Sequence, residues 1–224
     1  MSLGNVVAKL KAMQEQKASA DAALPIDEVL RQIANRLYWL DRLWSGSGGW
    51  APDSAAEMLS KARLDRLTAL AWSLRHWKSA SKPIEEGDLI LAWTNLGALV
   101  EGALKLFLCV YLEDYKVDEE NGKTTGTYHF TKKTMIDPDG LHLDSVIRYF
   151  EKRKLLADEH LKLARLTQSR RNVIHAFEDA ELGTHAEFLD AVRGYRSLLR
   201  EVSLGLPYPD HMHEPRETGP FDGK

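Results

Sequence analysis

The stretch "LILAWTNLGALVEGALKLFLCVYL", residues 89–112, decides the kind of fold. Its length and apolar content suit a membrane-crossing helix. Glu101 and Lys105 stand near its middle, with Asn95 close by, and charge at bilayer depth is costly. The two charges lie four apart with the acid first, the favourable order for an ion pair along a helix. The stretch therefore reads as the long, buried core helix of a soluble, cytoplasmic protein with no membrane partner.

Outward from this helix the pattern stays helical. "PIDEVLRQIANRLYWLDRLW" carries Leu30, Ile33, Leu37, Leu40 and Leu43 at three- and four-residue spacing, one apolar face. Pro25 and two acids mark its start. "SGSGG" at 45–49 interrupts it. "PDSAAEMLSKARLDRLTALAWSLRHW" has a second periodic face through Leu59, Leu67, Leu70, Leu74 and Trp77, and "SKPIEEGD" is the next helix start. Before these, "VVAKLKAMQEQKA" is a short, weakly amphipathic segment.

Residues 116–140 are polar, with three glycines and a Pro-Asp-Gly turn. The alternation in "TGTYHFTKKTMI" predicts a small β-hairpin around 125–136, or a flexible loop beside a site. Helices resume with "LDSVIRYFEKRKLL", then about 158–179, then 184–203. Gly183 closes one helix, and Thr184 with Glu187 forms a capping box for the next. The sum is an all-α bundle of six or seven helices. Residues 1–80 are expected as an N-terminal helical extension, 81–204 as the main helical domain, and 205–224, rich in proline, as a disordered tail.

With 224 residues and a net charge of −3, the chain lacks the global basic field of a general nucleic-acid binder. Any such contact must come from a local cluster. The single Cys109 excludes an intrachain disulfide and reads as a buried small hydrophobe. There is no glycine-rich phosphate loop, hydrolase elbow or zinc spacing. The pair His211 and His213 has no further ligands for a metal, so neither metal nor cofactor is expected. His129 and His142 flank the polar loop. The six tryptophans are expected in packing, with base stacking by Trp44 or Trp50 as the alternative.

The local cluster is "LTQSRRNVIHAFED", residues 166–179. Within the helix read over about 158–179, Arg171 and His175 share a face, with Arg170 pointing further round. Asn172 offers a donor and an acceptor. Guanidinium forks match phosphate oxygens, and an imidazole moves a proton near neutral pH. The non-functional alternative is a solvated arginine face with a satisfied core histidine.

Over about residues 85–203 the sequence resembles the HEPN domains, helical bundles with an Arg, four to six residues, then a His. Arg170 and His175 give that spacing, with Arg171 where a polar residue usually follows. Alignment on Arg171–Asn172 leaves the spacing one residue short, so either arginine can hold the principal role. "LGALVEGALKLFL" looks like the family's acid-bearing helix, with Glu101 as the supporting acid. The resemblance implies a metal-independent endoribonuclease with a composite site in a homodimer. It also implies a toxin or antiphage effector with an antitoxin or other regulatory protein. Some members carry a Tyr two residues after the His, and Phe177 stands there. A helical module that binds RNA, nucleotide or a protein partner without turnover is the alternative, and a dimerisation domain with no site is a third.

Overall fold

The structure, a computed structural model, describes residues 24–79, 84–175, 181–209 and 216–224. Nine α-helices and one two-stranded hairpin lie among them, an all-α bundle. The segment 6–18, Pro83, Phe177, His211 and His213 lie outside the described residues.

Helix α1, Ile26–Trp44, begins after Pro25 with Asp27 and Glu28 in its first turn, where acids complement the helix dipole. Its apolar stripe buries Leu30, Ile33, Leu37 and Leu40 to 3% exposure or less. The predicted long helix after the glycine break is divided in two, α2 (Asp53–Lys61) and α3 (Leu64–Ser73), the second running into a 3₁₀ turn at Leu74–Trp77. Ala62 between them is extended, which lets both Leu59 and Leu64 turn inward.

The decisive stretch forms α4, Glu86–Val110. It is long and apolar enough to cross a membrane by length and composition, and here most of that apolar stretch is buried. Helices α2 and α3 pack on it, joined by three introduced below: α7 (Leu143–Arg153), α8 (Asp158–Asn172) and α9 (His185–Leu204). Asn95 donates from Nδ2 to the Leu70 carbonyl at 3.0 Å and to Ser73 Oγ at 2.8 Å, satisfying the end of α3. Trp93 meets Phe188 of α9 edge to face, with centroids 5.4 Å apart. One apolar cluster runs from Val29 to Leu206, so α1 and α9 share a core with α4.

The polar region is more helical than its composition suggests. Short helices α5 (Leu112–Val117) and α6 (Glu119–Thr125) precede the hairpin of β1 (Tyr128–His129) and β2 (Thr134–Met135), antiparallel with Tyr128 opposite Met135. The hairpin packs rather than swings. Met135 is 2% exposed, and Tyr115 Oη donates to the Ile136 carbonyl at 2.7 Å. Residues 216–224, at the end of the stretch expected to lack order, lie against α1. Trp44 is 1% exposed and packs against the tilted ring of Trp50, so it offers no face to a base.

Candidate functional site

The candidate motif sits where α8 ends. The α-helix stops at Asn172, earlier than the periodicity of "NVIHAF" predicts, and the chain continues in tighter turns. Val173, Ile174 and His175 each donate their amide three residues back, to Arg170, Arg171 and Asn172. Arg171 and His175 are therefore one tight turn apart and do not share an α-helical face.

The two arginines have different surroundings. Arg170 is 7% exposed. Its Nη1 donates to the Glu181 carbonyl and lies 3.1 Å from the Glu181 carboxylate, while Nη2 lies 3.4 Å from Glu187. It ties the end of α8 to the start of α9. Gly183, at φ +77°, lies against it, and a β-carbon there would stand 2.9 Å from Arg170 Nε. Arg170 thus holds backbone and carboxylates of its own chain, where the sequence suggests a ligand contact.

Arg171 crosses α4 instead. Its Nη1 donates to Glu101 Oε2 at 2.5 Å, and its side chain remains one-third exposed. Glu101 also takes Lys105 Nζ at 2.8 Å. Burial alone raises the Glu101 pKa, but the hydrogen bonds and charges of Lys105 and Arg171 outweigh it and hold the carboxyl below its ordinary value. The sequence offered two readings of Glu101, partner of Lys105 or supporting acid, and in the structure it pairs with both Lys105 and Arg171.

Asn172 is half-buried and its carbonyl accepts the His175 amide at 2.9 Å. His175 is exposed, as is Ile174 beside it. Among the described residues, then, the structure brings Arg171, Glu101 and Lys105 into one ion chain, sets Asn172 and His175 on the adjoining turn, and assigns Arg170 to internal contacts. His129 accepts from the Lys132 amide at 3.5 Å within the hairpin, and His142 precedes α7.

Sequence reasoning missed Gly97. A β-carbon at that position would stand 2.5 Å from Arg171 Cδ, so the glycine is what lets the arginine lie across α4. It also missed Glu181 and Glu187 as partners of Arg170. The capping box was a signal, since the Glu187 carboxylate that receives the Thr184 amide at 2.7 Å also faces Arg170.

Beyond Lys105 lies a cavity of about 610 Å³, bounded by Met58, Leu67, Leu106, Cys109 and Asp139. Burial pushes the Cys109 thiol up to about 12, which leaves it protonated and a poor nucleophile. Its Sγ lies 3.4 Å from Met58 Sδ.

Comparison with family models, with curated proteins and with solved structures finds no match to this chain.

Proposed function

We propose that the chain is a HEPN-like, metal-independent endoribonuclease whose working groups are Arg171, Asn172 and His175, with Glu101 positioning the first. The observation that carries this reading is the pairing of Arg171 with Glu101, with an exposed His175 on the next turn of the chain. A carboxylate that fixes one guanidinium nitrogen leaves other donors of the fork for a phosphate. An exposed imidazole is accessible to an RNA backbone.

The chemistry needs no metal because the nucleophile belongs to the substrate. The 2′-hydroxyl attacks the adjacent phosphorus, His175 takes or returns the proton, and the bond to the 5′-oxygen breaks. The products are a 2′,3′-cyclic phosphate and a 5′-hydroxyl. Arg171 neutralises charge on the phosphorane oxygens as it builds. Attack and departure each need a proton transfer, and one copy supplies one imidazole, so the reading calls for a homodimer with two motifs at a shared cleft. Arg170 then acts as a positioning residue for the turn. A toxin or antiphage role in the cytoplasm, under a regulatory partner, follows from the resemblance alone.

Purified protein should cleave RNA in EDTA and leave cyclic phosphate ends, and His175→Ala should abolish cutting while helicity stays intact. Undiminished cleavage by that variant refutes the assignment. A second reading, a module that binds RNA, nucleotide or protein without turnover, draws on the neutralisation of Arg171 by Glu101 and on the solvent-facing position of His175. It expects salt-dependent RNA binding that weakens in Arg171→Ala, with no cleavage in any variant.

A further inference from the structure

The cavity beyond Lys105 opens where α2 and α3 part. Ala62 is extended between the two helices, so the helical path breaks there. Leu67 forms one wall because Gly102 of α4 has no side chain, and a β-carbon at that position would stand 2.4 Å from Leu67 Cδ2. The 3₁₀ turn Pro138–Gly140 carries Asp139 to the rim. The apolar lining includes Leu106 and the sulfur-bearing side chains of Met58 and Cys109, polarisable groups that suit contact with a flat ring. At about 610 Å³ the space falls in the range of small-ligand pockets, about 300–1,000 Å³.

The charged residues that line it balance in sign, with Lys61, Arg63 and Lys105 against Glu57, Asp137 and Asp139. Most are already matched. Lys61 pairs with Glu57 at 2.6 Å, Arg63 with Asp65 at 2.7 Å, and Asp137 with Lys116. Lys105 Nζ lies 2.8 Å from Glu101 Oε1 and donates to the Asp139 carbonyl at 3.2 Å. No bare cation is left among these residues for a phosphate. An ammonium has three donors, however, so Lys105 keeps one in reserve. Asp139 Oδ1 accepts the Gly140 amide at 2.9 Å, and Oδ2 has no partner among the described residues. The cavity thus offers a spare donor and, close by, a spare acceptor, of opposite charge. Their complement is a neutral edge that carries an acceptor next to a donor. Adenine and cytosine have such an edge, a ring nitrogen beside an exocyclic amino group.

We propose that this cavity binds a nucleobase, with Lys105 donating to a ring nitrogen, Asp139 accepting from the adjacent amino group, and the ring lying against Met58 and Cys109. The base arrives in a free nucleoside or in a strand of RNA. For a strand, Glu101 stands between two subsites. Its Oε1 takes Lys105 and its Oε2 takes Arg171, so a phosphate at Arg171 lies one carboxylate away from a base at Lys105. Binding of a nucleoside is independent of the ribonuclease reading, since His175 takes no part in it.

The test titrates adenosine and cytidine into the full chain with methyl-labelled methionine, followed by NMR. The Met58 methyl resonance, assigned with Met58→Leu, should shift saturably with a Kd on the order of 0.1 mM. The Met135 resonance, from a side chain packed on Gly122, should stay in place. Purine riboside, which lacks the amino group, should bind about tenfold more weakly than adenosine. Asp139→Ala should lower the affinity for adenosine to that for purine riboside and leave the latter unchanged, a loss of preference that a merely structural role does not produce. Ala62→Phe, which adds a ring to the cavity lining, should abolish binding of both. A Met58 resonance that neither nucleoside moves overturns the proposal, as does a preference for the amino group that survives in D139A. Should A62F not fold, D139A carries the test, because Asp139 is exposed. The second arm uses the His175→Ala protein, in which RNA stays whole, and the single-stranded trinucleotide of adenosine. Affinity equal to that for adenosine assigns the cavity to a free nucleoside. Affinity at least about tenfold higher, which falls back when Arg171→Ala is added, assigns it to a strand of RNA. Intact adenosine binding by a wild-type protein that cleaves no RNA removes the ribonuclease reading alone.

Discussion

Arg171 lies across Gly97 so closely that a β-carbon on the glycine would stand 2.5 Å from Arg171 Cδ and 3.0 Å from its Cβ. Gly97 is buried within α4, whose backbone is fixed by helices on several sides. Gly97→Ala must therefore displace the arginine and, with it, the bond to Glu101. Overpacking of this kind costs about 1–3 kcal/mol. The thermal midpoint should fall, and any RNA cleavage should fall with it to the level of Arg171→Ala. A G97A protein of unchanged stability and activity would show that the arginine does not take this path.

The two adjacent arginines should separate by assay. Arg170 is buried and binds Glu181 and Glu187, so Arg170→Ala should cost about 1–3 kcal/mol in denaturant unfolding. Arg170→Lys should recover little of it, because an ammonium lacks the fork that spans a carbonyl and two carboxylates. Arg171→Ala should leave stability closer to wild type and remove RNA cleavage or binding. The reverse pattern, with Arg170→Ala stable and inactive, would return the principal role to Arg170.

Thr184 and Glu187 close a capping box, with Thr184 Oγ1 accepting the Glu187 amide at 3.2 Å. Thr184→Ala removes that acceptor and loosens the carboxylate that faces Arg170. The midpoint should drop by about 2–4 °C. The double variant with Arg170→Ala should lose less than the two single losses together, since both act on Glu187. Strict additivity would mean that the cap and the arginine do not share it.

These contacts also show what local sequence could and could not reveal. The stripe of Leu30, Ile33, Leu37 and Leu40, the capping box and the alternation in 125–136 each obey a rule spanning a few residues, and each appears in the fold. Helix α6 was hidden because its residues are polar and the two it buries are Gly122 and Thr125, leaving no apolar periodic face to detect. The end of α8 was hidden for the opposite reason, since Val173, Ile174 and Phe177 keep a helical rhythm past Asn172. Pairings across the chain left no local trace. Arg171 meets a carboxylate 70 positions earlier, and Glu217 meets an arginine 181 positions earlier. Composition marked the terminal stretch as polar and proline-rich, and that description is compatible with a docked strap as well as with a free tail.

Acid should loosen that strap. Burial by itself raises the Glu217 pKa, but the hydrogen bond from Arg200 and the charges of Arg196, Arg200 and Arg36 prevail and bring it from 4.5 to about 2. The folded value lies below the unfolded one, so the unfolded chain takes up the proton first. The stabilisation is complete above about pH 4.5 and is lost as the pH falls toward about 2. Glu101, also held below its ordinary value, acts in the same direction. Wild-type urea midpoints should therefore decline from about pH 5 to about pH 3. Glu217→Gln, which has no proton to gain, should start lower at neutral pH and decline less steeply, converging on wild type in acid. A residual slope should persist from Glu101 and from Asp144, whose carboxyl Arg165 and Arg148 also hold down against its burial. Parallel curves for wild type and E217Q, at any separation, would mean that the three arginines do not hold Glu217 in its charged form in solution.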